Sequence, residues 1–443
     1  MPSQTTTRPT RIRHIVLWLT VALYMNTYMD RVVISVAAPS IQEEFGFSLV
    51  TMGWIFAAFQ ISYALFQVPG GWMGDRFGPR RALSAIVFYW SVFTAATAYM
   101  WSAASFVVCR FLFGAGEAGA FPIATRALSR WMLPTERGWA QGLTHAGSRL
   151  AAAATPLLVA AMIALWGWRT PFVVFALVGI VWVVAWHWYY RDDPREHRSV
   201  NAGELERIEA ALGRGAHQGE RPKVPWKQLL SNPQLWILSV MYFCYGYGIV
   251  TFLTWFPKYL TEARDFSLTQ MGIYASLPLA GGVLGNIVGG LASDHLVKRT
   301  QNLTLARRAI AVAGFLLAGS MVPLAAVSPD PMVSVLFFAF AVFGLEMTVS
   351  CSWAVTLDVG GQFAGSVASV MNTFGNSGGA IAAALMGYLV TWFDWQTAFF
   401  VLAALQILAA ALFMKIDAST PMYVGAHAAG SRRAARLASQ AAE

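Results

Sequence analysis

Charge is what this sequence has least of. Asp, Glu, Lys and Arg make up 12% of 443 residues while hydrophobic residues make up 57%. A typical soluble domain carries roughly twice that charge fraction, so a water-facing surface of ordinary composition is excluded. Cysteine is scarce as well. Cys109, Cys244 and Cys351 are odd in number and each sits inside an apolar block, which argues against a disulfide framework and for three small core side chains. The chain has no Walker-type phosphate loop, no metal-ligand cluster and no nucleophile–base spacing. Nucleotide-driven pumping, a metal or other cofactor, and enzymatic chemistry are therefore not expected.

What the sequence does have is apolar runs of about 20 residues, the length that crosses a hydrocarbon core. About 12 can be marked, near 14–38, 50–72, 82–101, 105–128, 138–165, 170–190, 234–260, 269–293, 308–327, 331–357, 362–391 and 394–415. Backbone in lipid must satisfy its own hydrogen bonds, so each reads as a helix. The polar N-terminus, with Arg8, Arg11 and Arg13, leads into a long apolar run without a small-residue cleavage site, and so reads as the approach to a first spanning helix. Residues 191–231 form a polar linker, which divides the chain into bundles at 1–190 and 232–416. Within it Leu205, Ile208 and Leu212 recur at helical spacing among Glu204, Glu206, Arg207 and Glu209, a short amphipathic helix. Gly213, Gly215, Pro222 and Pro225 follow and end it. Residues 417–443, rich in Ala, Ser and Arg, read as a disordered tail.

The formal charge of +9 is a matter of topology and calls for no nucleic-acid partner. With alternate loops assigned to opposite sides, one side collects Arg76, Arg80, Arg81, Arg130, Arg137, Lys298, Arg299, Arg307, Arg308 and Lys415, besides the terminal and linker arginines. The other keeps only Arg169, Lys258 and Arg264. The positive-inside rule makes the first side cytoplasmic, with both termini on it.

An internal repeat supports two halves. Gly70-Gly71-Trp72-Met73-Gly74-Asp75-Arg76-Phe77-Gly78-Pro79-Arg80-Arg81 follows the second apolar block, and Gly289-Gly290-Leu291-Ala292-Ser293-Asp294-His295-Leu296-Val297-Lys298-Arg299 follows the eighth. Each has a glycine doublet, an Asp four residues on and a basic cluster, at matching places in the two halves. The glycines suit close approach of two helix ends. The Asp is placed to pair with a basic residue or cap a neighbouring helix, a lock that can open and close.

The first copy resembles the signature loop of the major facilitator superfamily. Further segments resemble its anion:cation symporter family: Tyr28-Met29-Asp30-Arg31 with Ser35-Val36-Ala37-Ala38-Pro39; Arg110, Gly114, Glu117, Phe121 and Pro122; Thr254-Trp255-Phe256-Pro257 with Tyr259; and Trp353, Asp358 and Asn372. The likeness covers nearly the whole chain. It implies an all-α membrane fold of twelve helices in two pseudo-symmetric six-helix bundles, acting by alternating access. It also implies a family that includes bacterial carriers of sugar acids such as hexuronate, glucarate and galactonate. Arg31 matches that family's substrate arginine, and Asp30 and Glu117 match its proton-carrying positions. Gly71, Asp75, Arg76, Arg80 and Asp294 fall in the gating motifs.

The residues themselves point the same way. Asp30, Arg31, Arg110, Glu117, Arg149 and Glu346 lie inside apolar blocks. An ionised group at mid-bilayer costs about 2.5–3.5 kcal/mol on insertion scales, so these six should face a central cavity and find partners. Asp30 and Arg31 are adjacent and need partners on other helices. Arg110 and Glu117 sit two turns apart on one helix face. Arginine receives a carboxylate bidentately, which makes Arg31 and Arg149 candidate substrate ligands, with ion pairs to Asp30 or Glu117 as the structural alternative. Arg110 is placed to modulate the charge on Glu117. Glu346 suits either a second proton site or a structural pair with Arg149. Tyr63, Tyr245, Ser350, Trp353 and Asn372 would supply polar and aromatic contacts to the cargo, and one of Asn372 and Asn376 should be open to the cavity. His145 suits a backbone hydrogen bond or a proton role.

The expected protein is thus a monomeric, multi-pass carrier of the bacterial cytoplasmic membrane. It takes up a small organic anion, a sugar acid first, with protons. An organophosphate/phosphate exchanger, a carrier of aromatic carboxylates, a nutrient sensor and a drug exporter are the competing readings.

Overall fold

The computed structural model describes residues 9–133, 136–212, 225–360 and 363–422. The N-terminal half contains α1 (Ile12–Phe45), α2 (Leu49–Thr97), α3 (Ala103–Glu117), α4 (Ala120–Trp131), α5 (Arg137–Trp166) and α6 (Arg169–Tyr189). The linker carries α7 (Ala202–Leu212) and α8 (Trp226–Leu230). The C-terminal half contains α9 (Pro233–Thr254), α10 (Phe256–Glu262), α11 (Leu268–Thr300), α12 (Leu303–Val327), α13 (Pro331–Gly360), α14 (Ala364–Trp392) and α15 (Trp395–Phe413).

Nine helical segments among the described residues are long and apolar enough to cross a membrane. Helix α1, residues 79–97 and α14 bring the helical passages to twelve, since α2 bends at Gly78, α3 with α4 makes one passage, and α9 with α10 another. Short polar residues start many of them. Ser48 accepts from the Thr51 N–H, Asp394 from Thr397, and Ser102 and Ser267 form reciprocal boxes with Ser105 and Gln270. Each cap satisfies a donor that the first turn leaves free.

In the two glycine-aspartate repeats the glycines sit inside helices, not at the helix ends that the sequence suggests. Gly70 and Gly71 lie within α2, and the chain turns only at Gly78, whose φ of 76° favours glycine. The doublet instead serves close packing. A Cβ on Gly70 would come within 2.6 Å of the Gly119 Cα, in the break between α3 and α4. In the second copy α11 runs on helically to Thr300. There Asp294 pairs with Arg307 at 2.9 Å, and Arg307 reaches Asp358 at 3.3 Å. In the first copy Arg80 is held by other partners, its backbone N–H donating to Asp192 and its guanidinium to the His187 carbonyl. Arg76 lies over the rings of Trp72 and Phe77. The Asp75 side chain lies outside the described residues.

The linker helix α7 forms where the apolar spacing predicts it, but with a different buried face. Ile208 is buried as expected, whereas Glu204, expected among the solvated positions, is fully buried. Its carboxylate accepts from the backbone N–H groups of Ile12 and Arg13 at 3.1 and 3.2 Å and pairs with the Arg13 guanidinium. An acid at a helix N-terminus meets both free donors and the positive end of the dipole. Arg13 also pairs with Glu136 at 3.0 Å. Gly213, Gly215 and Pro222 lie outside the described residues. Asp417–Met422, expected to be the start of a disordered tail, are held in place. Asp417 accepts from Thr304 at 2.7 Å, and the Met422 N–H donates to the Val359 carbonyl. Residues 423–443 lie outside the described residues.

Helices of the two halves meet as α2 on α14 and α5 on α11. Trp54 donates to the Tyr388 hydroxyl at 3.1 Å, and Phe56 meets Trp255 edge to face. A Cβ on Gly272 of α11 would stand 2.5 Å from the Ala160 Cβ of α5. These contacts lie toward the turns at Gly46–Ser48, Gly167 and Ser267, opposite the arginine-rich turns. On that same side Arg169 holds Glu44 in two hydrogen bonds and pushes its carboxyl down to about 2.

Gly272→Leu should therefore force this closed seam apart. The expected result is a loss of about 1–3 kcal/mol in detergent-solubilised protein. A thiol reagent should also label Ala275→Cys, buried in the parent, much faster in the Gly272→Leu background. Unchanged labelling would place the seam elsewhere.

Candidate functional site

The six intramembrane charges do gather centrally, in three arrangements. Arg31 of α1 donates through Nε to Glu117 Oε1 at 2.5 Å, and its Nη2 closes on the same oxygen. Glu117 has no exposed surface, while 17% of the Arg31 side chain is open. Around the guanidinium stand the rings of Tyr63, Tyr28, Phe59 and Phe121, with centroids at 4.6, 5.3, 5.3 and 5.4 Å. These faces hold a cation without neutralising it.

The second arrangement crosses between the halves. Arg149 of α5 pairs with Glu346 of α13 at 3.3 Å; the arginine side chain is 17% exposed and the carboxylate 2%. Tyr245 donates to Glu346 Oε1 at 3.0 Å, and the Asn286 amide reaches Oε2 at 3.5 Å. Arg149 also donates to the Tyr28 hydroxyl at 3.4 Å and lies over the Tyr28 ring at 5.5 Å. A small cavity next to the pair is lined by Ala152, Ile249, Leu253, Leu279, Gly282 and Val342.

Asp30 and Arg110 make up the third, and neither has an ion-pair partner among the described residues. Asp30 is buried and accepts at 3.2 Å from the Asn26 amide, one turn earlier on its own helix, and from the Trp90 indole. The partner expected on another helix is thus an indole, not a cation. Arg110 is 3% exposed and lies over the rings of Phe113 and Phe59 at 4.5 and 5.0 Å, its Nε without a hydrogen bond among the described residues.

The polar candidates divide. Tyr63 is buried beneath Arg31, and Tyr245 serves Glu346. Ser350 spends its hydroxyl on the Asn286 carbonyl at 2.9 Å. Trp353 is 39% exposed and donates to Tyr242 at 2.9 Å. Asn372 is half-buried, and the Asn376 amide nitrogen is buried without a partner among the described residues. His145, for which the sequence left a backbone hydrogen bond or a proton role open, is exposed, its ring edge-on to Tyr24 at 5.5 Å.

Sequence reasoning missed Tyr28, whose ring lies against both Arg31 and Arg149, and Asn26, Trp90, Asn286 and Tyr242. For Tyr28 a signal was present: it precedes Arg31 by three residues, which puts both on one helix face. Asn286 and Trp90 carry no such signal, because their partners lie on distant helices.

Chemically, this is a polar centre in an apolar shell. It offers two arginine side chains, each 17% exposed, with a sealed carboxylate behind each.

Residues 20–383 match the sequence profile of the Major Facilitator Superfamily. The chain is 40% identical over 382 residues to a probable sulfoacetate transporter of Cupriavidus necator, covering 86% of this chain and 88% of that one. It is 32% identical to a probable galactarate/D-glucarate transporter of Bacillus subtilis, covering 86% and 87%, and 31% identical to a hexuronate transporter of the same organism, covering 85% and 87%. In fold it is similar to an inward-facing, unoccupied bacterial homologue of the human lysosomal transporter Spinster. The TM-score is 0.73 at 18% identity, over 94% of this chain and 99% of that one.

Because Asp30 is a buried carboxyl without a cation, Asp30→Asn should keep both hydrogen-bonded neighbours and remove the cost of ionising that group. Thermal unfolding in detergent should show stability unchanged or raised by about 1–2 kcal/mol. A marked loss would mean that Asp30 is held by a charge pair.

Proposed function

The chain belongs to the Major Facilitator Superfamily, and from that premise we propose that it is a carrier, not an enzyme, that moves a small organic anion with protons across a bacterial cytoplasmic membrane by alternating access. The observation that carries this reading is the contact between Arg31 and Glu117. An acid group that reaches the partly exposed Arg31 side chain draws the guanidinium off Glu117. The carboxylate left behind has no exposure, and a stranded buried charge costs several kcal/mol. Glu117 therefore takes a proton when the cargo binds and returns it when the cargo leaves.

Asp30 is the second proton holder in this scheme, and Arg110 supplies the positive field between the two carboxylates. Tyr63, Tyr245, Ser350, Trp353 and Asn372 supply hydroxyl, amide and ring contacts for a polar cargo. Gly71, Asp75, Arg76, Arg80 and Asp294 serve the movement of the halves. The Asp294–Arg307–Asp358 network is the C-terminal latch, at the end where the arginine-rich turns place the cytoplasm and both termini. The cargo class rests on the arginines and on the relatives, named for sulfoacetate, galactarate or glucarate, and hexuronate.

Uptake into proteoliposomes under an imposed pH gradient tests the coupling. One pH unit supplies about 1.4 kcal/mol per proton, so a coupled carrier accumulates its anion up to about tenfold per proton moved. The expected result is gradient-driven accumulation of sulfoacetate or glucarate by the parent. Glu117→Gln should lose the gradient response and keep anion counterflow. If the parent ignores the gradient, or Glu117→Gln accumulates normally, the proton reading is wrong. Phosphate counterflow instead would mark an exchanger.

A further inference from the structure

The proposed transport cycle uses one arginine–carboxylate station, and the structure contains two of the same construction. In both, the arginine side chain stays 17% exposed while its carboxylate is sealed, Glu117 at 0% and Glu346 at 2%. Arg31 lies over four aromatic rings and Arg149 over one, and the ring of Tyr28 serves both, at 5.3 and 5.5 Å. Sharing that ring holds the two cations within the length of one small molecule. Arg149–Glu346 is also the ion pair that joins the halves among the described residues, since Arg149 belongs to α5 and Glu346 to α13.

A purely structural inter-half pair would have little reason to leave its cation partly bare. It would also not need a carboxylate already provided with other donors. Glu346 is so provided: the Tyr245 hydroxyl and the Asn286 amide hold it at 3.0 and 3.5 Å. When Arg149 turns away, two hydrogen bonds remain, and the carboxylate is not stranded as an unsolvated group. The pair is thus built to part.

We propose that Arg149 is a second anion station, so that the cargo is a dianion with one acidic group on Arg31 and the other on Arg149, and that Glu346 holds the second station until the cargo arrives. This rests on the transport reading above and names its cargo class. Two acidic groups satisfy two arginines bidentately, whereas a monoanion leaves Arg149 with Glu346. Binding of a dianion undoes the ion pair between the halves, which ties full occupancy of the site to their relative movement. A monoanion leaves that tie in place.

Binding to the full-length protein in detergent tests this, read by tryptophan fluorescence or calorimetry. The probes are two matched pairs. Sulfoacetate is set against 2-hydroxyethanesulfonate, and D-glucarate against D-gluconate, each partner lacking one acid group. The parent should bind at least one dianion more tightly than its monoanion, by about tenfold or more. Arg149→Gln alone leaves an unpaired Glu346 charge that repels an incoming anion, so the decisive variant is Arg149→Gln with Glu346→Gln, which removes both charges. There the preference should shrink to within about threefold, while monoanion binding at Arg31 persists. Equal binding of monoanion and dianion by the parent, or a preference that survives the double variant, overturns the inference and leaves the transport reading standing. Failure to bind any of the four anions overturns the transport reading, and this inference with it.

Discussion

The cost of a charge in hydrocarbon governs this structure. Each of Asp30, Arg31, Arg110, Glu117, Arg149 and Glu346 lies in a segment that is otherwise apolar, and none could face lipid cheaply. The fold meets that cost by turning all six inward and surrounding them with aromatic faces, hydroxyls and amides. The site exists because the membrane permits these groups nowhere else.

Solving the same cost twice produces two stations of one design. In each, the carboxylate is buried and the arginine is left at the edge. That asymmetry matters more than the pairing. A symmetric, fully sealed pair would be inert, whereas an arginine with part of its side chain exposed suits the receptor role proposed for it. Asp30 and Arg110 are settled differently, through an indole and an amide in one case and phenyl faces in the other. Small residues make the gathering possible. Gly70 on Gly119 brings α2 against the break that follows Glu117, so the end of α3 that presents this carboxylate is packed in place.

Away from the centre, the same economy binds the linker to the N-terminal half. Glu204 serves at once as counter-charge to Arg13 and as acceptor for two free N–H groups of α1. A residue that looks like one of several solvated acids on a surface helix is the one that anchors it.

Much of the fold was legible because its determinants are local. Twenty-residue apolar runs, alternating loop charge and a doubled glycine-aspartate motif all repeat along the chain, and lipid leaves backbone no other regular option there but helix. The six buried charges were legible for the same reason, being conspicuous against an apolar background. Their partners were not. Which acid Arg31 takes, that Asp30 takes none of the arginines, that Tyr28 lies between the stations and that Gly70 packs in mid-helix all depend on distances across separate helices. The sequence by itself determined that this chain crosses a membrane in two related halves with charges that must be buried. Only the tertiary structure decided which charges meet and which arginines stay open, because helix packing brings together residues that no spacing along the chain relates.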